Sequence, residues 1–107
     1  GNPSKIAEAT RVHYARLYAK PGAMHSAFAQ FLSIPQDAED NQKAIATKLP
    51  MPVLAIGGAK SFGENEAIVM RNAATNVQAL VIPDAGHWLM EEQTQVTVGA
   101  VVKFLAQ

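Results

Sequence analysis

An α/β fold is predicted, with helices in the first half and a β-α-β-α unit in the second. Three observations predict it. Val53-Leu54-Ala55-Ile56 and Ala79-Leu80-Val81-Ile82 are continuous apolar runs, the pattern of strands buried on both faces in parallel sheets. The stretch between them is polar at first and then helical in character, the crossover that a parallel pair requires. Upstream, apolar residues recur at helical spacing.

Asn2-Pro3-Ser4 reads as a helix start, because a proline in the first turn forfeits no needed N–H. Tyr14, Leu17 and Tyr18 then share one face up to a break at Pro21-Gly22. A second helix carries Met24, Ala27, Phe28, Phe31 and Leu32 at i, i+3, i+4, i+7 and i+8. Pro35 opens a third, polar helix whose Asp37, Glu39 and Asp40 favour the positive end of its dipole. Its few apolar residues, chiefly Ala44 and Ile45, suggest a helix lying on a surface. Pro50 and Pro52 forbid helix, and Gly57-Gly58 ends the first strand. A helix over about residues 64–74 follows, then the second strand, stopped by Pro83. The last helix places Val98, Val101, Val102 and Leu105 on one stripe, with Thr94 as candidate N-cap. No internal repeat and no low-complexity segment is found. Parallel sheets are normally covered on both faces and contain several strands. The pair therefore reads as the last edge of a larger sheet, and the chain as a piece.

Bulk properties narrow the function classes. The 107 residues allow one small domain, and 49% hydrophobic residues supply a core. Nine basic and nine acidic side chains cancel without forming a basic stripe, so neither nucleic acid nor an anionic membrane is an expected partner. Charged residues make up 17% of the chain, few for a free-standing soluble surface, and favour self-association. With no cysteine there is no disulfide framework, thiol nucleophile or thiolate metal site. No apolar run approaches the roughly 20 residues of a membrane span. Gly1-Asn2-Pro3-Ser4 offers neither a signal-peptide core nor an initiator methionine, and Gly1 is compatible with a scar of tag removal. A cytoplasmic location is the expectation.

The chemistry concentrates in one segment. Pro83-Asp84-Ala85-Gly86-His87-Trp88 sits past the carboxyl end of the second strand, where open α/β sheets place catalytic groups. Small residues at 85 and 86 let the backbone turn, and a histidine there can take a proton from a nucleophile or water. This segment through Gln93, together with residues 49–58, resembles the α/β-hydrolase family, particularly its epoxide-hydrolase-like branch. Tyr14-Ala15-Arg16-Leu17-Tyr18-Ala19-Lys20-Pro21-Gly22-Ala23-Met24 resembles the end of that family's helical cap. The resemblance implies a C-terminal fragment of an α/β-hydrolase, with residues 1–48 as a cap remnant and 49–107 as the last part of the core. It implies His87 as the base of a nucleophile–histidine–acid triad, and hydrolysis of a small apolar substrate without metal or cofactor. Epoxide and ester lead, with carbon–halogen behind. An aspartate nucleophile would form an alkyl-enzyme ester that His87-activated water cleaves; a serine would be activated by the histidine itself.

Two departures follow from the same resemblance. Ser61 stands where the triad acid is expected, so the acid lies in sequence outside this chain or the triad is degenerate; Asp84, Glu64 and Glu66 are the nearby carboxylates. The glutamates equally suit a helix N-terminus and Asp84 a turn. Phe31 occupies the place of the cap tyrosine that donates to an epoxide oxygen. Tyr14 and Tyr18 either line the pocket or belong to a core stripe, and Trp88 is expected to pack beside the histidine loop. Ala59-Lys60-Ser61-Phe62-Gly63 approaches a nucleophile elbow, but Ala59 replaces its first glycine and Asp84 lies only three residues from His87. A turn serine is the simpler reading. His13 and His25 lack partners at metal-ligand spacing, and Gly57-Gly58 lacks dinucleotide-binding spacing. The isolated chain is expected to be inactive and, standing alone, to dimerise. A non-catalytic oligomeric binding or structural module is the rival reading.

Overall fold

The computed structural model describes residues 2–107, so the expectation attached to Gly1 lies outside the described residues. A 3-10 turn at Pro3–Lys5 precedes α1 (Glu8–Tyr18), so the first α-helix begins later than Asn2-Pro3-Ser4 suggests. Gly22, at φ 79°, supplies the left-handed bend into α2 (Ala23–Ala29). The predicted second helix does not run on as one α-helix to Leu32. It tightens into a 3-10 turn at Gln30–Ser33 and re-forms as α3 (Ile34–Ala44). Pro35 explains the change: it has no N–H for the Phe31 carbonyl, and its ring crowds that carbonyl in a continuous helix. Met24, Phe28, Phe31 and Leu32 are all exposed, so their stripe has no partner within the described residues.

The second half is β1 (Leu49–Gly58), α4 (Asn65–Ala73), β2 (Ala74–Ile82), α5 (Leu89–Glu92) and α6 (Thr94–Leu105). The strands pair in parallel, in register from Pro52 opposite Asn76 to Gly58 opposite Ile82. An irregularity falls between Leu49 and Pro52, where two prolines cannot donate to the ladder. β2 starts five residues before its apolar run, taking in Thr75, Asn76 and Gln78. Pairing with β1, helped by the Thr75 hydroxyl donating to the Leu49 carbonyl at 3.2 Å, extends the strand beyond its hydrophobic stretch.

α6 corrects the expected stripe. Thr97 is buried and Ala100, Val101 and Phe104 are half-buried, whereas Val98, Val102 and Leu105 are exposed. Two strands about 5 Å apart offer a surface narrower than a helix of about 10 Å diameter, so one stripe of the helix finds cover and the other does not. Thr94 is not the N-cap either. Gln93 holds that position, and the Thr94 hydroxyl donates back to the Met90 carbonyl. The buried apolar residues are Ala55, Ala67, Ala74, Ile82 and Ala85, of which Ile82 alone is large. The radius of gyration, 16.5 Å, exceeds the roughly 13 Å of a compact domain this long. The described residues do not close a full core by themselves.

Candidate active site

Because Gly58 pairs with Ile82, both strands end at one level and their loops leave the same edge of the sheet. Two backbone hydrogen bonds stitch those loops together. Ala59 N–H donates to the Ile82 carbonyl at 3.0 Å, and Lys60 N–H to the Ala85 carbonyl at 2.9 Å. The double glycine makes this approach possible. A Cβ on Gly58 would lie 2.1 Å from the Gly86 carbonyl oxygen and 2.6 Å from that of Ala85. A Cβ on Gly57 would lie 1.9 Å from the Gly63 oxygen. Gly58 thus packs under the histidine loop, and Gly57 against the turn at Gly63.

Ala85 and Gly86 are buried against that support, and the chain emerges at His87, whose side chain is exposed. The imidazole meets the Trp88 ring edge-on, with centroids 5.1 Å apart and planes at 85°, so Trp88 does pack beside the loop. His87 lines a small cavity of about 70 Å³ together with Gly58, Ser61, Phe62, Glu66 and Leu89. No hydrogen bond joins Ser61 to His87 among the described residues. Ser61 sits in a turn, its N–H donating to the Gly58 carbonyl at 2.9 Å, with α4 starting four residues later. Among the described residues Asp84 alone is a non-glycine at positive φ, so Ser61 carries none of that backbone strain.

Asp84, at φ 55°, turns the chain out of β2, and asparagine and aspartate tolerate that region best. Its carboxylate pairs with Lys60 Nζ at 2.8 Å, which holds its pKa below the ordinary carboxylate value. Lys5 Nζ donates to the Asp84 carbonyl at 3.0 Å. The Asp84 carboxylate is therefore committed to a lysine and is not joined to His87. Glu64 is exposed at the N-cap of α4 and makes no capping hydrogen bond. Glu66, half-buried, is the carboxylate that shares the histidine cavity.

A larger cavity of about 420 Å³ lies beside Trp88, walled by Ile6, Arg11, Tyr14, Tyr18 and Glu91. Tyr14 and Tyr18 are part-exposed wall residues and not core. The Tyr14 hydroxyl donates to Glu91 Oε1 at 2.6 Å, and this bond to a carboxylate raises the phenol's pKa. Phe31 lines neither cavity and is exposed. His13 and His25 are exposed on their helices, and no cluster of potential metal ligands occurs among the described residues. No helix among them is long and apolar enough to cross a membrane.

Sequence reasoning missed the carboxylate beneath the loop. Glu92 is buried at 7% exposure. Its Oε2 accepts the Asn2 N–H at 3.0 Å and its Oε1 the Trp88 N–H at 3.3 Å. Those bonds, that from Asn2 foremost, hold its pKa below the ordinary glutamate value. The available signal was positional: Glu92 lies four residues past Trp88, one beyond the place of a capping-box glutamate.

No family model matches the chain. A soluble epoxide hydrolase of Corynebacterium sp. (strain C12) is 26% identical over 105 residues, which are 98% of this chain and 36% of that protein. The crystal structure of wild-type Cfl2 from Burkholderia cenocepacia superposes with a TM-score of 0.88 at 27% identity, over 96% of this chain and 35% of that one. The chain is α/β-hydrolase-like. It corresponds to the C-terminal portion of such a protein and spans about a third of the length of the relatives it matches.

Proposed function

We propose that His87 is the general base of an epoxide- or ester-hydrolysing triad, whose nucleophile comes from hydrolase sequence outside these 107 residues. The observation that carries this reading is the placement of an exposed imidazole on a braced loop at the carboxyl end of parallel strands, facing a cavity. The match to a soluble epoxide hydrolase supports the reaction class. Residues 1–48 then serve as the end of a cap and 49–107 as the end of the core. Tyr14, Tyr18 and Trp88 would face a small apolar substrate across the larger cavity. In the epoxide case an aspartate carboxylate attacks a ring carbon and the C–O bond breaks, leaving an alkyl-enzyme ester. His87 then takes a proton from water, the hydroxide attacks the ester carbonyl and the alcohol oxygen leaves. The imidazolium and the newly formed acid return both protons of that water to the two diol oxygens, freeing the carboxylate.

The test is His87→Ala in a full-length hydrolase containing this chain. Hydrolysis is expected to fall by several orders of magnitude while the protein stays folded. With an aspartate nucleophile, the alkyl-enzyme ester should accumulate as a mass increase equal to the substrate. Near wild-type rates would remove His87 from the mechanism. The 107-residue chain assayed alone against p-nitrophenyl esters and styrene oxide should show no turnover, because nucleophile and oxyanion hole are supplied elsewhere. Turnover abolished by Ser61→Ala would instead make Ser61 the nucleophile.

A second reading, an oligomeric module without catalysis, draws on the exposed Phe28, Phe31, Val102 and Leu105. For the chain on its own it leads to a two-fold dimer that covers these surfaces.

A further inference from the structure

The buried carboxylate of Glu92 has no part in the proton transfer assigned to His87, yet it holds the backbone of the residue that follows His87. It is the last residue of α5, which packs against α6. Its two oxygens serve different donors: one accepts the Trp88 N–H at 3.3 Å, the other the Asn2 N–H at 3.0 Å. Trp88 is the immediate neighbour of His87, and it lies in no helix or strand that would satisfy its N–H. A buried N–H without an acceptor is costly, so these donors select the loop conformation in which they converge on one charge. Charge-assisted bonds to a carboxylate are stronger than neutral ones, which makes that selection firm. Gly58 presses the loop from below and Glu92 gathers it from within.

We propose that Glu92 is a positioning residue for His87, its carboxylate fixing the loop that aims the imidazole by accepting the backbone N–H of Trp88 and tying it to that of Asn2. The proposal rests on the reading of His87 as the base. A side-chain amide of the same shape cannot replace the carboxylate, because one of its two ends presents N–H groups to donors. Misplacement of a catalytic group by about 1 Å can cost on the order of a hundredfold in rate without altering substrate binding.

Glu92→Gln in the full-length protein tests it, measured beside His87→Ala. A fall in kcat of about 10- to 100-fold with KM within about twofold is expected. Amide hydrogen exchange, read by mass spectrometry, should accelerate in the peptide covering residues 84–92 and stay unchanged in those covering β1 and β2. Unchanged kcat and unchanged exchange in the Gln variant, with His87→Ala inactive, would overturn the positioning role and leave the base reading intact. A lower kcat with exchange accelerated equally across both strands would also overturn it, since Glu92 would then hold the whole fold and not the loop. A fully active His87→Ala would remove the base reading itself, and the positioning role with it.

Discussion

Gly58→Ala isolates the contact between the two loops. The added methyl would start 2.1 Å from the Gly86 carbonyl oxygen and 2.6 Å from the Ala85 oxygen, where ordinary van der Waals contact begins at 3.4 Å. Both obstacles are backbone atoms, so no side chain can swing aside. The histidine loop must retreat by about 1.3 Å at Gly86, the residue immediately before His87, to restore ordinary contact. That retreat pulls on the bonds from Ala59 N–H to Ile82 and from Lys60 N–H to Ala85. Overpacking of this kind costs roughly 1–3 kcal/mol, and, with His87 as the base proposed above, a displacement near 1 Å there should cost about a hundredfold in rate. Gly99→Ala is the matched control. Gly99 lies within α6, and a methyl added there would meet nothing within 4 Å, so alanine should stabilise by about 0.5–1 kcal/mol. Denaturant titration of both variants, with hydrolysis assayed in the full-length protein, gives the comparison. If Gly58→Ala is as stable and as active as the parent, the close approach of the loops does not constrain His87.

Two further outcomes are expected. The Asp84 carboxylate has its pKa lowered in the folded protein, first by its bond to Lys60 and then by that lysine's charge. Its stabilising contribution is therefore complete above the unfolded value and is lost as pH falls through the lowered folded one. Asp84→Asn should flatten the dependence of stability on pH below about 5 relative to the parent, and an unaltered acid profile would show the ion pair to be inert. For the dimer, light scattering coupled to size exclusion at tens of micromolar should give about twice the 11.4 kDa of one chain. A monomer mass would refute self-association.

The strand pair and the histidine loop were readable in the sequence because both depend on neighbouring residues. The runs at 53–56 and 79–82 are apolar throughout, and Asp84-Ala85-Gly86 turns on its own composition. What stayed hidden depends on distant partners. Gly57-Gly58 looks like an incomplete nucleotide motif until Gly63 and Gly86 are brought against it. Thr75, Asn76 and Gln78 look like loop until β1 draws them into the ladder. On α6 two apolar stripes compete, and the valine count favours the wrong one. The stripe that is covered contains Thr97, whose hydroxyl donates to the Gln93 carbonyl at 2.8 Å, a partner that periodicity does not count.

Burial in this chain is not spread evenly, and its distribution bears on the chemistry. The α-helices before β1 contain no buried residue, and the outer stripe of α6 is open. Gly57, Gly58, Ile82, Ala85, Gly86 and Glu92 are buried around the strand ends and the segment after β2, with Ala55, Ala67, Ala74 and Thr97 the other buried residues described. Most of them are small, so they contribute little apolar area, and area alone would not keep them together. Their order comes from close backbone approach, from two hydrogen bonds between the loops and from one carboxylate that accepts backbone N–H groups. These are short-range and directional, and they need no partner surface. The apolar faces, by contrast, need a wider sheet or a second copy to be covered. The local frame around His87 is thus specified largely within residues 57–92, while the stability of the fold as a whole depends on what covers the exposed stripes. Substitutions at Gly58 and Glu92 should therefore act on rate more than on melting, and substitutions at Val98 or Val102 on melting and association more than on rate.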